Sequence, residues 1–412
     1  MNSAPLNVCR ICESHNLEKY LDLGKQPFSN SFLKVNQIKK EKRFPLIILL
    51  CKKCGLSQLS IIPNTKFIFS KYDYLSSSSS ALSNHYKSLI KKLISRYSIK
   101  SSEIILDIGC NDGILLQHFP KSFKKLIGIE PSDASKHIKD RRIKLRKEFF
   151  NYKTSQKLLK KFNKPKLITI TNVLAQIPNL KDFVKGLKNL LNEKNIIVIE
   201  FPYLIDMINS SIFDVIYHEH LSYFSLTPLN YLFKKNNIQM LDFERINFGA
   251  SGPAIRLYLA NNISIYKQSK KINQILDQEK LWEIKKIRKY KKFKIQVVNK
   301  IKKLKNIILT KHKQKFKLGC FTASSKGNTL LNCLKIKKNI MSLVCENNKK
   351  KIGKFTPGTH IKIVNDEKFN KEKIEYALLL SWNYKKFFMK KSEFIKKGGK
   401  FIVPFPTPHI EK

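Results

Sequence analysis

Four cysteines stand in two pairs, Cys9-Arg-Ile-Cys12 and Cys51-Lys-Lys-Cys54, with 38 residues between the pairs. A two-residue gap lets both sulfurs of one turn face a single ion, and two such turns complete the tetrahedral thiolate shell that zinc takes in structural sites. Cys9, Cys12, Cys51 and Cys54 are therefore expected to hold one zinc ion. Four thiolates leave no open position for water, so the metal is assigned to folding a module of about 60 residues and not to catalysis. The other four cysteines show no such spacing.

A second chemistry is written around Asp107-Ile-Gly-Cys-Asn-Asp-Gly113, which follows the apolar run Ile104-Ile-Leu106 and opens a helix. The next strand, Leu126-Ile-Gly-Ile-Glu130, ends on an acid before Pro131. Gly109 and Gly113 permit a tight turn and close approach of a ligand, and an acid at the tip of the second strand can accept both ribose hydroxyls. The turn has no GxGxxG and carries Asp107 and Asp112, so it suits a cation better than a pyrophosphate. S-adenosylmethionine meets that description: its ammonium and sulfonium favour carboxylates, and its ribose needs Glu130. The alternative is an α/β turn that only packs.

Tyr217-His-Glu-His220, before Leu221-Ser-Tyr-Phe-Ser225, gathers a phenol, two imidazoles and a carboxylate within four residues. On a helical turn His220 would share a face with Tyr217, and Glu219 could orient a ring nitrogen of a neighbouring His. The spacing is not HExxH, and the alternative is a pair of structural histidines.

These residues need elements to position them. Strands are expected at 166–171 and 195–200, helices at 81–97 and 180–191, and the alternation predicts a doubly wound parallel sheet with ligands at its strands' carboxyl ends. From 263 to 313 the chain is helical and lysine-rich, with Tyr290, Phe293, Val297, Ile301, Leu304 and Ile308 forming an apolar seam. A further α/β block starts at Leu318-Gly-Cys-Phe321, with strands expected at 340–345, 360–364, 376–381 and 400–403. Its turn Ser324-Ser-Lys-Gly-Asn-Thr329 could take a diphosphate through backbone amides and Lys326. The expected boundaries are 1–60 for the zinc module, 61–262 for the donor domain, 263–313 for a helical connector and 314–412 for the last α/β domain.

With 412 residues, 42% of them hydrophobic, the chain is long enough for several cores and too apolar for disorder. The net charge of +50 invites a nucleic-acid reading, but only nine of the 80 basic residues are arginine. The lysine excess is spread along the chain, so nucleic acid is not the expected partner. The longest apolar run, Phe44 to Cys51, is too short to span a bilayer. No secretory signal is visible at the start, which makes the reducing cytoplasm the expected compartment.

The motifs together resemble the sugar C-methyltransferase family, S-adenosylmethionine enzymes that methylate a keto-deoxysugar carried on a nucleoside diphosphate. The resemblance runs nearly end to end. It rests on the four cysteines, Asp107 to Gly113, Glu130-Pro131, Glu200-Phe-Pro-Tyr203, Tyr217 to Ser225, Lys326-Gly-Asn-Thr-Leu-Leu331, Thr356-Pro-Gly-Thr-His360 and Gly398 to Val403. It implies a class I Rossmann-like methyltransferase domain between an N-terminal four-cysteine zinc module and a C-terminal Rossmann-like α/β domain, with the nucleotide sugar between domains.

By the same resemblance His220 is the base that forms an enolate, with Tyr217 donating to the oxyanion and Glu219 steadying the site. With an imidazole pKa near 6.5, His220 is expected to be available as a base at neutral pH. The donor is assigned to Asp107, Gly109, Asn111, Asp112, Gly113, Glu130 and Asn172, and the acceptor to Tyr74, Gln176, Tyr203, Tyr223, Arg256, Lys326 and Asn328. The sequence departs from the family pattern twice. Gln176 fills a slot that often holds His, and the segment is Gly249-Ala-Ser-Gly-Pro-Ala-Ile-Arg256 where many members carry His-Gly-Gly-Ser before the Arg. The other readings are O-methylation of a sugar or other small acceptor, and a zinc protein that binds or modifies RNA.

Overall fold

The computed structural model describes residues 4–64, 75–249, 252–336 and 338–411, with only the backbone described for residues 247–249. Tyr74 lies outside the described residues. Strands β1 (Leu17–Gln26), β2 (Phe44–Cys51) and β3 (Ser57–Leu59) form an antiparallel sheet. Leu46, Ile48 and Leu50 alternate inward along β2, the period-two pattern of a sheet with one covered face. A fourth strand is lent by residues 222–223, far along the chain.

Helix α1 (Ser80–Arg96) begins where the Ser79 hydroxyl accepts from Leu82 N at 3.2 Å, and it buries Leu82, Tyr86, Leu89, Ile90 and Leu93 at helical spacing. It covers a seven-stranded sheet whose parallel part is β4 (Ile105–Ile108), β5 (Leu126–Ile129), β6 (Ile143–Arg146), β7 (Leu167–Thr171) and β8 (Ile196–Pro202). Except at the edge strand β6, these strands are buried on both faces, as parallel strands covered by helices are. Helix α2 (Leu180–Leu190), capped by Asn179, joins β7 to β8 and buries Leu180, Phe183, Val184, Leu187 and Leu190.

The lent strand β9 (Ser222–Tyr223) follows, then α3 (Leu226–Lys234) and the antiparallel pair β10 (Ile238–Gly249) and β11 (Gly252–Asn261). The sheet order is β10-β11-β8-β7-β4-β5-β6. The chain therefore reverses direction between β4 and β7, the switch point at which such sheets open a crevice.

The lysine-rich stretch forms two helices, α4 (Lys270–Leu281) and α5 (Arg288–Lys313). The apolar seam on α5 is buried at Tyr290, Phe293, Val297, Leu304 and Ile308, with Ile301 at its margin. Glu279 of α4 is fully buried and accepts from Leu226 N and Thr227 N, each at 2.7 Å. A buried carboxylate at that position caps α3.

Strands β12 (Leu318–Phe321), β13 (Leu343–Cys345), β14 (Lys362–Val364), β15 (Tyr376–Leu379), β16 (Lys400–Val403) and β17 (His409–Glu411) build a second doubly wound sheet, ordered β14-β13-β12-β15-β16-β17. Helix α6 (Ser325–Leu334) follows β12. The carboxyl ends of both sheets open onto one cavity of about 930 Å³. No helix among the described residues is long and apolar enough to cross a membrane.

Candidate active site

The metal ligands fit first. Cys9 Sγ and Cys54 Sγ are 3.5 Å apart, as are Cys12 Sγ and Cys51 Sγ, and all four sulfurs lie within 4.8 Å of one another. Four sulfurs at about 2.3 Å from a tetrahedral zinc are about 3.8 Å apart, so the cluster matches that ion. Among the described residues no other group of His, Cys and carboxylates converges in this way. A zinc held by these four thiolates would have no position open to water and would serve the fold.

The turns after β4, β5 and β7, to which the sequence assigned the donor, line one cavity. Gly109 has φ +77, and a Cβ there would stand 2.2 Å from Val173 Cγ2, so only glycine lets the turn close. Glu130 is buried and bridges two turns: Oε2 accepts from Asn111 N and Oε1 from Ser132 N, each at 2.9 Å. Asp107 accepts from Thr169 Oγ1 at 2.7 Å, and burial pushes its carboxyl up to about 7. A cationic ligand would favour its ionised form.

Asp107, Gly109, Asn111, Glu130 and Asn172 line the cavity. Asp112 and Gly113 do not. Asp112 Oδ2 accepts from Ser77 N at 3.0 Å and Asn111 Oδ1 from Ser76 N at 2.9 Å, so these side chains fasten the Ser76–Ser78 turn to the loop after β4. Gly113 shapes the turn with φ +80. Glu130→Gln removes a charge that both ribose hydroxyls would address. It is expected to weaken S-adenosylmethionine binding by about 10- to 100-fold, measured by calorimetry; unchanged affinity contradicts the assignment.

Tyr217, His220, Gln176 and Lys326 line the same cavity. Residues 217–220 form a tight turn and not a helix, yet Tyr217 and His220 still meet: Tyr217 Oη lies 2.9 Å from His220 Nε2. His220 Nδ1 lies 3.0 Å from Val215 O, which can only accept, so Nδ1 carries the proton and Nε2 presents its lone pair. Burial pulls the imidazole down to about 4, not the 6.5 expected of a free ring, and it is neutral across the physiological range.

The expected Glu219–His contact is not formed. Glu219 is buried, Oε1 accepts from Asn30 N at 3.3 Å and Asn30 Nδ2 at 3.1 Å, and burial pushes its carboxyl up to about 7. His218 turns away into the zinc module, against Phe28 and Phe44, with Nε2 3.2 Å from Pro45 O. The imidazole pair is thus divided between a site and a structural role.

Four expected acceptor residues lie off the cavity. The Tyr203 hydroxyl donates to Glu279 at 2.7 Å, and Tyr223 packs behind His220. Arg256 is held by Glu200 at 2.6 Å and Glu244 at 3.0 Å, its cross-strand partners on the two strands flanking β11. Asn328 Nδ2 donates to Ser29 O at 2.7 Å. Sequence reasoning missed Asn30, Tyr86 and Glu346, all on the cavity wall. Glu346 had a signal, since it ends β13 as Glu130 ends β5; Asn30, in a loop of the zinc module, had none.

Buried ionisable groups also set the pH dependence of stability. Asp107 and Glu219 are raised to about 7 and Asp214 to about 6, while His218 and His220 are lowered to about 4. A raised carboxyl adds stability below its unfolded value near 4 and loses it as pH rises through its folded value; a lowered histidine gains stability from about 4 to 6.5. The two sets oppose one another up to about pH 6.5; above it the carboxyls complete their titration, and only near pH 8 do Lys300 and Lys326, lowered by burial to about 8, begin to offset them. Melting temperature is expected to fall from about pH 6.5 to 8, and Glu219→Gln to flatten that fall; an unchanged slope contradicts burial of an acid there.

Three family profiles match in chain order: a zinc binding domain over residues 9–69, a methyltransferase domain over 82–242 and a C-methyltransferase C-terminal domain over 250–406. The chain is 24% identical to C-methyltransferase NovU of Streptomyces niveus over 409 residues, 98% of this chain and 97% of that protein. A solved S-adenosylmethionine-dependent methyltransferase from Anabaena variabilis is 14% identical, over 42% of this chain and 83% of its own, at TM-score 0.34. The YcgJ protein of Bacillus subtilis is 13% identical, over 45% of this chain and 99% of its own, also at 0.34. A chain whose successive parts match a zinc-binding domain, a methyltransferase domain and a C-methyltransferase's own C-terminal domain, and which aligns with such an enzyme over nearly its whole length, is an S-adenosylmethionine-dependent C-methyltransferase.

Proposed function

We propose that the acceptor is a keto-deoxysugar linked to a nucleoside diphosphate, and that His220 removes the proton that makes its carbon nucleophilic. The observation that carries this reading is the Tyr217–His220 pair on the wall of a cavity shared with the donor turn. Bound S-adenosylmethionine supplies an electrophilic methyl on a sulfonium, and a carbon beside a ketone becomes able to take it once deprotonated.

The residues divide that work. As found, the Tyr217 hydroxyl donates to His220 Nε2. A ketone oxygen that takes the Tyr217 hydrogen bond leaves the Nε2 lone pair open to the neighbouring C–H, so one contact released in the free enzyme serves both ends of the enolisation. The proton passes to Nε2, the C–H electron pair moves into the enolate, and Tyr217 donates to the oxygen where negative charge grows. Gln176 cannot accept a proton and is left to hydrogen-bond the sugar.

The C-terminal unit supports a nucleotide. Glu346 Oε2 accepts from Ala323 N at 3.0 Å, repeating at β13 what Glu130 does at β5. An acid in that position suits a ribose. Lys326 opens α6, where Ser324 Oγ accepts from Gly327 N, and its ammonium can face a diphosphate there. Burial lowers Lys326 to about 8, with Asp214 opposing the shift, so a bound anion would favour its charged form.

The test is methyl transfer from labelled donor to a panel of nucleoside-diphosphate ketosugars, with the product's new linkage read by NMR. A carbon-bound methyl is expected. Transfer only to a hydroxyl, or only to RNA, overturns the reading.

A further inference from the structure

Among the described residues, the zinc module reaches the cavity at Asn30, in the loop of residues 28–33 between β1 and β2. Neighbours fix this loop on both sides. Ser29 O accepts from Asn328 Nδ2 at 2.7 Å, Phe28 stands edge-on to His218 at 5.3 Å, and Leu33 exchanges two backbone hydrogen bonds with Phe355 at 3.0 and 2.8 Å. At its centre Asn30 lines the cavity together with Tyr217 and His220.

Its backbone N–H and one Nδ2 hydrogen are both committed to Glu219 Oε1, which locks the side-chain amide in one orientation. That geometry leaves the amide oxygen and the second Nδ2 hydrogen, an acceptor and a donor side by side. A sugar hydroxyl, itself donor and acceptor, is the complementary group. Glu219 directly precedes His220, so Asn30 stands on the same wall as the base.

We infer that Asn30 is an acceptor-binding residue that recognises a hydroxyl of the sugar near the carbon to be deprotonated, which makes the zinc module part of the substrate site. The inference rests on the nucleotide-sugar reading. Asn30→Ala is expected to raise the acceptor KM about 5- to 10-fold, with kcat within about 2-fold and with donor affinity and zinc content unchanged. A ketosugar lacking the recognised hydroxyl should cost the wild-type enzyme that same factor and cost Asn30→Ala nothing further.

Asn30→Ser, smaller and still polar, is the second variant should the alanine fail to fold; its KM is expected between the two. Equal discrimination of the deoxy analogues by wild type and variants, or a loss that appears only in zinc content or donor binding, overturns the inference. If the wild-type enzyme turns over ketosugar nucleotides and the variants match it, this inference alone falls. If the wild type turns over none, the substrate reading falls and takes the inference with it.

Discussion

Replacing His220 with glutamine is expected to lower kcat/KM for the acceptor by about 10²- to 10⁴-fold, the usual range for removing a general base, while donor affinity stays within about 2-fold. Glutamine can accept from Tyr217 and donate to Val215 O, so the packing made by His220 is largely kept and the ability to take a proton is lost. The pH profile gives an independent check. With His220 held near 4, the base is already deprotonated at pH 5, and at saturating donor, which holds Asp107 ionised, the limb of kcat/KM due to the base should lie near pH 4. An acidic limb centred near 6.5 would point to a solvated imidazole or another base. The low value also carries a cost, since a weaker base takes the proton with less driving force; the Tyr217 hydrogen bond to the enolate oxygen is what offsets it.

Stripping the zinc, or replacing Cys54 with serine, is expected to abolish turnover although no sulfur touches a reactant. Structural zinc contributes about 10–16 kcal/mol in small domains, as much as the whole stability of a typical fold, so the module should not persist without it. Its loss reaches the base through strand pairing. Leu59 N donates to Leu221 O at 3.1 Å, Ser222 and Tyr223 pair with Gln58 and Ser57, and Arg10, between Cys9 and Cys12, reaches Ser222 and the carbonyl oxygens of Ile177 and Pro178. These contacts seat the segment just after His220. The donor turn is built on other strands, so S-adenosylmethionine binding should survive better than turnover. Calorimetry, zinc content and proteolysis of the first 60 or so residues separate the two effects. Full activity in zinc-free protein would contradict this coupling.

Local chemistry was legible in the sequence and long-range pairing was not. The two CxxC turns, the Gly109 turn and the acid at Glu130 each rest on a spacing of a few residues, and each appears where its spacing placed it. Tyr217 and His220 meet as expected, but through a tight turn. Their neighbours diverge because the partners come from far along the chain. Glu219 is taken by Asn30, Tyr203 by Glu279, and Arg256 by Glu200 and Glu244. No periodicity encodes such partners. The antiparallel pair β10 and β11 escaped notice for a similar reason: its pairing with β8 fixes which polar residues are buried, and Arg256 in mid-strand reads as a ligand group until Glu200 is found opposite.

The claim on which the account turns is that His220 deprotonates a carbon of the acceptor, and isotope exchange tests it without needing methyl transfer. A nucleoside-diphosphate ketosugar is incubated in deuterated water with the enzyme and S-adenosylhomocysteine, and the C–H beside the ketone is followed by NMR. The account predicts exchange at one carbon with the wild-type enzyme and none above background with His220→Gln. Methylation of the same sugar with no exchange at that carbon in the wild type, or undiminished exchange in the variant, would contradict it.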